Sequence, residues 1–299
     1  MPTGDALVDR LLSLRQHQSD GRRSPHKPLL VLLALGRLAE SGSSALEWSV
    51  AEDRLASLIA EFGPSSKTGR AQSAAYPFTR LRSDGVWRLS RDVPMDAVAP
   101  LAEAPVTGGF VPGLEDALRR DPDLLRSVAR ELVDSQFPET LAQDVLLAVG
   151  LDPQWVAGGL AAEPPGEARQ RSAAWRESIL RAWDARCAFC GFDGAIAGAP
   201  VGIEAAHVRW FNFDGPDAAD NGLALCALDH KLFDRGAVGL TPDGRIEVSQ
   251  AFRAAGPAGR AVYARHGLRL DPRPGTALPA EPYVDWHRSE VFKGEPLAG

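Results

Sequence analysis

In the first half of the chain, apolar residues recur three and four positions apart, a spacing that predicts amphipathic helices. The longest apolar run, at residues 28–35, has the length of a buried helix. Pro28 stands in what would be the first turn of that helix, where a missing N–H is harmless. The predicted helices of this half are residues 6–17, 29–40, 51–62 and 114–150, the last broken near Phe137 and Pro138.

Turn-forming residues divide the rest of this half. Asp84 and Gly85 lie between apolar residues, which predicts a β-hairpin. Residues 92–113 contain four prolines and three glycines, so they favour an irregular connector. Residues 157–170 are small, polar and rich in proline and glycine, and we expect a linker and a domain boundary there.

The second half combines short strands with helices. Ser172 is expected to cap the helix that follows it. Residues 203–208 alternate as a short strand, and a break at Asn221 and Gly222 leads to a further helix. A second hairpin is predicted around Asp243. The expected fold class is therefore α+β, with a mainly helical domain at residues 1–156, the linker at 157–170 and a second domain at 171–299.

Of the 299 residues, 44% are hydrophobic and 24% charged, as in an ordinary soluble globular protein. No apolar run approaches the roughly 20 residues that span a membrane, and the N-terminus lacks the pattern of a signal peptide, so we expect a cytoplasmic protein. The net charge of −6 does not by itself indicate a nucleic-acid binder. Basic residues concentrate at positions 10–27 and 67–91, which indicates either a local basic face or ordinary solvated charge.

All three cysteines lie in the second half, at short spacings that favour metal binding over disulfides. Cys187 and Cys190 form a Cys-x-x-Cys pair, and Cys226 is followed three residues later by Asp229. Three thiolates and a carboxylate can form a tetrahedral zinc site. We therefore expect a structural Zn²⁺ ion, with the alternative that Asp229 only caps the helix that follows.

Two histidines stand in an ordered pattern beside the cysteines. His207 lies in the predicted strand, and the ordinary pKa of a histidine, near neutrality, suits a general base. His230 and Asp234 are four residues apart on one helical face, where they can hold a divalent cation. Asn221 is expected to brace the loop through hydrogen bonds from its side chain to the backbone. The alternative is that these polar residues have structural roles.

The stretch at residues 187–236 resembles the HNH endonuclease family, which has the ββα-metal fold. The matching residues are the cysteine pair in CAFC, Glu204 and His207 in IEAAHV, Asn221 in DNGLAL, and His230 with Asp234 in DHKLFD. The resemblance implies a metal-dependent DNA endonuclease, with His207, Asn221 and His230 as catalytic residues and a cation such as Mg²⁺ or Mn²⁺. The LFDRG ending and the hairpin after it are typical of the modification-dependent branch.

Two positions depart from the HNH pattern. Asp229 stands where a fourth cysteine is usual. Ala206, just before the expected general base, stands where the family often has a metal ligand. Glu204 lies on the same strand face two residues earlier, so it is expected to compensate as a ligand of the catalytic cation.

Three stretches of the first half, RRSPHKP at residues 22–28, YPFTRL at 76–81 and residues 137–152, resemble the sulfur-binding domain found before HNH modules in type IV restriction endonucleases. That domain recognises DNA whose backbone carries a phosphorothioate. Sulfur is larger, softer and more poorly hydrated than the oxygen it replaces, so an apolar pocket favours it. The residues implied in binding DNA and sulfur are Arg23, Ser24, His26, Lys27, Tyr76, Pro77, Phe78 and Arg80.

Other interpretations stay open. The segment from Tyr76 can instead be core at the start of a strand. A nuclease directed at methylated or hydroxymethylated DNA would need an aromatic cage for a flipped base, with Trp48 or Trp87 as candidates. A zinc-stapled DNA-binding regulator without catalysis would leave His207 and His230 without a role. If the chain cuts both strands, its single HNH site implies a homodimer on double-stranded DNA.

Overall fold

The structure, a computed structural model, describes residues 4–14, 24–65, 73–158 and 172–298. Contacts within the chain divide it into two units, Met1–Pro164 and Pro165–Gly299. Most of the predicted linker at residues 157–170 lies outside the described residues. No helix in the described part of the chain has the length and apolar character needed to cross a membrane.

The first unit is mainly helical, in agreement with the expected α+β class. Its strands form one antiparallel sheet with β3 in the centre, in the order β1-β3-β2. The helices are α1 (Gly4–Leu12), α2 (His26–Ser41), α3 (Trp48–Phe62), α4 (Ala75–Arg80), α5 (Ala99–Ala102), α6 (Pro112–Arg120), α7 (Pro122–Gln136), α8 (Glu139–Ala148) and α9 (Pro153–Ala157). The strands are β1 (Leu46–Glu47), β2 (Trp87–Leu89) and β3 (Thr107–Phe110).

Helix α2 is the centre of this unit. Every residue from Pro28 to Gly36 is buried, because a helix that is apolar on all sides has no polar face to expose to water. It packs against α3, α4 and α7. Pro28 lies in its first turn, as expected, and the helix begins two residues before Pro28.

The hairpin predicted at Asp84 and Gly85 is wrong. The residues before Gly85 form α4 and a 3₁₀ helix (Leu81–Asp84), and Gly85 ends that helix in the left-handed region with φ +74°. A left-handed glycine ends a helix as readily as it turns a hairpin, so the Asp-Gly pair does not distinguish the two. Strand β2 pairs instead with β3, which lies in the predicted connector.

The predicted break near Phe137 and Pro138 is confirmed, since α7 ends at Gln136 and α8 begins at Glu139. A second break was not predicted. Asp121 accepts hydrogen bonds from the backbone N–H groups of residues 123 and 124, so it caps α7 and separates α6 from it.

The second unit places the predicted strand, loop, strand and helix in order. Strands β6 and β7 pair antiparallel, from Ile203 opposite Cys226 to His207 opposite Gly222, and α11 follows directly. The helices are α10 (Ala173–Ala182), α11 (Ala227–Asp234), α12 (Pro257–Tyr263) and α13 (Glu281–Glu290). The strands are β4 (Ala195–Ile196), β5 (Ala199–Pro200), β6 (Ile203–His207), β7 (Gly222–Cys226), β8 (Val238–Leu240) and β9 (Ile246–Val248). The hairpin predicted around Asp243 is confirmed by β8 and β9.

Two local features hold α10 against the β6–β7 pair. Ser172 caps α10, because its hydroxyl accepts a hydrogen bond from the N–H of Trp175, as expected. At Gly222 a Cβ atom would lie 2.3 Å from Cδ1 of Ile179, so glycine allows α10 to pack closely on β7. This close packing brings the start of α10 to the end of β6, where His207 lies.

Candidate active site and metal centre

The three cysteines and Asp229 converge on one point between β7, α11 and the turn after α10. Their donor atoms all lie within 4.8 Å of one another. Sγ of Cys190 and Sγ of Cys226 are 3.8 Å apart, and Sγ of Cys187 is 3.1 Å from Oδ2 of Asp229. Zinc–sulfur bonds of about 2.3 Å at tetrahedral angles would separate two sulfurs by about 3.8 Å. The donor set therefore fits a tetrahedral metal site.

Both oxygens of the Asp229 carboxylate have partners, one inside the cluster and one beside it. The side chain is completely buried, Oδ2 faces Cys187, and Oδ1 pairs with the guanidinium of Arg265. Cys226 is the N-cap residue of α11. The carboxylate is thus directed at the cluster and at Arg265, not at a capping position.

Burial raises the pKa of all three thiols, to about 12 for Cys187 and to about 11 for Cys190 and Cys226. Without a metal, the thiols therefore keep their protons at neutral pH. A bound cation would displace those protons, as metal binding to cysteine requires.

His207 is held by contacts with three residues. Its Nε2 lies 2.8 Å from Oδ1 of Asp217. Its ring stacks on the indole of Trp175, with centroids 3.8 Å apart and planes 14° from parallel. Phe211 contacts the ring from another direction, at 5.6 Å between centroids. The position and the plane of the imidazole are therefore both fixed.

Asn221 is completely buried and is bonded to the backbone of the loop between β6 and β7. Its Oδ1 accepts from the N–H of Arg209 at 2.8 Å, and its Nδ2 donates to the carbonyls of Arg209 and Pro216 at 3.1 and 3.0 Å. These contacts join the two ends of the loop that carries Asp217. These hydrogen bonds from the side chain to the backbone are the kind expected of a residue that braces the loop.

His230 lies between two carboxylates. Its Nδ1 is 2.7 Å from Oε2 of Glu204, and its Nε2 is 3.3 Å from Oδ2 of Asp234. The hydrogen bond with His230 holds the pKa of Glu204 below its usual range. The indole N–H of Trp210 donates to Oδ1 of Asp234 at 2.8 Å.

The expected catalytic ligands do not surround a common point. His230 lies between Glu204 and Asp234, and each carboxylate faces a different nitrogen of its ring. Among the described residues, the cysteine cluster is the one group of three or more such side chains whose donor atoms converge closely enough to hold a metal ion. Magnesium binds through one or two carboxylates, waters and substrate phosphates. The residues present fit such a partial ligand set better than a complete protein cage.

Two of the three stretches, RRSPHKP and YPFTRL, meet at the start of α2. Helix α2 packs against α4, and Nζ of Lys27 lies 2.5 Å from Oδ2 of Asp84, just beyond α4. The two side chains are only 16% and 4% exposed, so in this structure the charge of Lys27 is paired with that of Asp84. Ser24 and His26 are half-buried, and Arg23 lies outside the described residues.

Of the predicted binding residues in α4, Tyr76 and Arg80 are exposed, whereas Pro77 and Phe78 are buried. Tyr76 is 47% exposed, and the guanidinium of Arg80 lies 5.0 Å from the centre of its ring. Arg80 also bonds Asp96, with Nε 2.6 Å from Oδ1. The exposed face of α4 therefore presents an aromatic ring beside a cation.

Phe78 and Pro77 are buried, so the structure does not support a DNA-facing surface for either. Phe78 packs between Trp48 and Trp87, with ring centroids 5.0 and 5.9 Å away. Both tryptophans are themselves at most 3% exposed. They belong to the core and do not form an aromatic cage for a flipped base.

Several residues that contact the predicted site were missed at the sequence level, among them Asp217, Trp175, Trp210 and Arg265. Asp217 had a weak signal, as an acidic residue in the loop between the expected base and Asn221. Trp175 and Arg265 had none, because they approach His207 and Asp229 only in the folded chain.

Comparison with known proteins identifies both halves. The family described as the ScoMcrA-like DNA sulfur-binding domain matches residues 4–154, just over half of the chain. The chain belongs to this family. The HNH endonuclease family matches residues 187–241, so this member of the sulfur-binding family also carries an HNH endonuclease domain. Both resemblances drawn from the motifs are confirmed.

Several solved structures are similar to parts of the chain. The sulfur-binding domain of SprMcrA complexed with phosphorothioated DNA is 21% identical, covers 50% of this chain and 95% of that one, and has a TM-score of 0.41. The modification dependent TagI restriction endonuclease is 26% identical over 41% of this chain and 39% of that one, with a TM-score of 0.33.

The Type IV phosphorothioation-dependent restriction endonuclease ScoMcrA is 22% identical over 59% of this chain, with a TM-score of 0.41. The match covers 33% of ScoMcrA, compared with 39% of TagI. This chain therefore spans well under half of the length of each of these two endonucleases. No curated protein matched the chain.

Proposed function

We propose that this protein is a modification-dependent restriction endonuclease of the type IV class. Residues 1–156 bind double-stranded DNA that carries a phosphorothioate, and residues 171–299 hydrolyse a nearby phosphodiester bond, with residues 157–170 as the linker. One observation carries the proposal: a single chain contains a sulfur-binding domain and an HNH endonuclease domain.

In the proposed reaction, His207 acts as the general base. Its imidazole takes a proton from a water molecule as the water oxygen bonds to phosphorus. The bond from phosphorus to the 3′ oxygen then breaks, and that oxygen takes a proton from solvent. His207 returns its proton to solvent to complete the cycle. Burial of the ring against Trp175 supports this role, because a fixed base needs no reorientation before proton transfer.

The expected metal requirement follows from the types of ligand at the site. A cation such as Mg²⁺ or Mn²⁺, bound near His230, Asp234 and Glu204, would stabilise negative charge on the phosphate and on the leaving oxygen. Asn221 keeps the loop between β6 and β7 in place. The cluster of Cys187, Cys190, Cys226 and Asp229 would hold a structural Zn²⁺, as its donor spacing suggests.

Recognition of sulfur is assigned to the surface where α2 meets α4. The exposed ring of Tyr76 offers apolar surface to a poorly hydrated sulfur. Arg80, His26 and Ser24 would contact phosphates or bases around it. Phe78 supports this surface from the core side of α4.

A double-strand break needs two cuts, and one chain carries one HNH domain. We therefore propose a homodimer as the active form on DNA. Analytical ultracentrifugation with and without phosphorothioated DNA would test it. A single monomeric species under both conditions would contradict the dimer but not the nuclease.

The direct test uses two plasmids of the same sequence, one phosphorothioated and one unmodified, incubated with purified protein and either Mn²⁺ or Mg²⁺. Preferential cutting of the modified plasmid is expected. Equal cutting of both would contradict the phosphorothioate specificity. A methylated or hydroxymethylated plasmid cut in preference would favour the alternative target, and binding without cutting under all metals would favour a DNA-binding regulator.

A further inference from the structure

Asp217 links His207 to the first helix of the nuclease unit. Its Oδ1 lies 2.8 Å from Nε2 of His207, and its Oδ2 accepts a hydrogen bond from the backbone N–H of Ser172, also at 2.8 Å. Asp217 lies in the loop between β6 and β7, whereas Ser172 is the N-cap residue of α10. One carboxylate therefore connects the expected general base to α10.

Helix α10 contacts the same loop a second time through Trp175. The indole N–H donates to the carbonyl of Ala218 at 2.9 Å, while the ring stacks on His207. Ser172 and Trp175 both precede the segment that matches the HNH endonuclease family, which begins at residue 187. Helix α10, which holds the imidazole of His207 in position, therefore lies outside that segment.

The contact with Asp217 also selects the tautomer of His207. An ionised carboxylate only accepts hydrogen bonds, so Nε2 must be the nitrogen that carries the proton. The lone pair is then on Nδ1, which is the nitrogen able to take a proton from water. When Nδ1 becomes protonated, the positive charge of the imidazolium lies beside the Asp217 carboxylate and is stabilised by it.

We propose that Asp217, held by Ser172 of the α10 cap, is a positioning residue of the nuclease site. It keeps the proton of His207 on Nε2 and thereby makes Nδ1 the general base. The cleavage part of this inference rests on the proposed function, whereas the tautomer of His207 does not.

The substitution Asp217→Asn separates the effect of Asp217 on the tautomer of His207 from its structural support of α10. The N–H of Ser172 needs an acceptor, so it orients the new amide with its oxygen toward α10 and its NH₂ toward His207. Support of α10 is kept, but the group facing Nε2 changes from acceptor to donor. His207 is then driven to the opposite tautomer, with its proton on Nδ1.

We expect Asp217→Asn to lower kcat for cleavage by about 10²- to 10⁴-fold, the range that a wrongly protonated catalytic histidine produces. The Kd for phosphorothioated DNA should stay unchanged, because the proposed binding residues lie in the first unit. Asp217→Ala, which also removes the acceptor for Ser172, should lose a similar amount of kcat and in addition lower the Tm. Asp214→Asn is the matched control, since Asp214 is an exposed carboxylate in the same loop, 4.0 Å from Arg209.

The tautomer is measured directly by two-bond ¹H–¹⁵N correlation NMR of the full-length, DNA-free protein, with the His207 signals assigned from a His207→Ala sample. The proton should be on Nε2 in the wild type and in Asp214→Asn, and on Nδ1 in Asp217→Asn. A wild-type proton on Nδ1 would overturn the proposal, as would Asp217→Asn cutting within about twofold of the wild type. If the wild type cuts no DNA at all, the proposed function fails, and the NMR result still decides the role of Asp217.

Discussion

The indole N–H of Trp210 donates a hydrogen bond to Oδ1 of Asp234 at 2.8 Å, and Oδ2 of the same carboxylate lies 3.3 Å from Nε2 of His230. Asp234 is only 2% exposed. Its orientation beneath His230 is therefore fixed by a tryptophan that the HNH motif does not include. Trp286 of α13 packs on Trp210 at 5.7 Å, so the C-terminal helix supports the same arrangement.

The substitution Trp210→Phe tests this relationship. Losing the donor to a buried carboxylate should lower the free energy of unfolding by about 1.5–3 kcal/mol, beyond the loss from the smaller ring. Cleavage should fall about tenfold because Asp234 no longer holds one orientation. Urea denaturation and plasmid cleavage measure the two effects.

Trp183→Phe is the matched control for Trp210→Phe. Trp183 is equally buried, but its indole N–H has no hydrogen-bond partner in the described part of the chain. The substitution Trp183→Phe should therefore lower the free energy of unfolding by less than Trp210→Phe and leave cleavage near the wild-type rate. Equal effects of the two substitutions on cleavage would contradict a special role for the Trp210 hydrogen bond.

Arg265 should determine how firmly the cysteine cluster retains its metal. It is the cation paired with the fully buried Asp229, and an unpaired buried carboxylate is costly. The purified protein is expected to contain one zinc ion per chain. Arg265→Gln should lose zinc to EDTA at least about tenfold faster and lower the Tm.

Zinc content by mass spectrometry and release followed with a metal-binding dye would measure the effect of Arg265→Gln. Arg260→Gln, a change at an exposed arginine in α12, is the control and should retain zinc like the wild type. Wild-type protein that contains no zinc would refute the assignment of the cluster.

Asn221→Ala should damage cleavage without affecting DNA binding. The substitution leaves the N–H of Arg209 and the carbonyl of Pro216 without their side-chain partner inside a buried loop, at a cost of about 1–3 kcal/mol for each unsatisfied group. The loop that carries Asp217 then loses its fixed position. Cleavage assays should show a loss of at least about 100-fold, while anisotropy with a phosphorothioated duplex should give an unchanged Kd.

In the first unit, substitution of Phe78 should affect mainly stability, whereas substitution of Tyr76 should affect mainly DNA binding. Phe78→Ala removes a ring with no exposure from the Trp48 and Trp87 cluster, so it should destabilise the protein by about 3–5 kcal/mol. Tyr76→Ala should cost little stability but weaken binding to the phosphorothioated duplex about tenfold or more.

Leu147→Ala controls for the loss of an exposed apolar side chain in the same unit, since Leu147 is 64% exposed on α8. It should bind the modified duplex like the wild type. Normal binding by Tyr76→Ala would place sulfur recognition elsewhere on the unit.

Local sequence patterns predicted most helices and the active-site strands because these elements depend on short-range periodicity and caps. Ser172 marked the start of α10, and the alternation at residues 203–208 marked β6. The Asp84-Gly85 signal failed because strand β2 pairs with β3, about twenty residues away, and not with its neighbour. Strand β3 itself was hidden by the glycines and prolines around it.

By itself, the sequence determined the residue types of the proposed chemistry: a histidine proposed as the base, an asparagine proposed to brace the loop, three thiols with a carboxylate, and three stretches of a sulfur-binding domain. These were visible because metal ligation and proton transfer demand particular side chains at short spacings. Only the tertiary structure decided which nitrogen of His207 faces Asp217, which cation balances Asp229, and that Phe78 lies in the core. Those contacts join residues up to 36 positions apart, and long-range packing fixes them without leaving a local pattern in the chain.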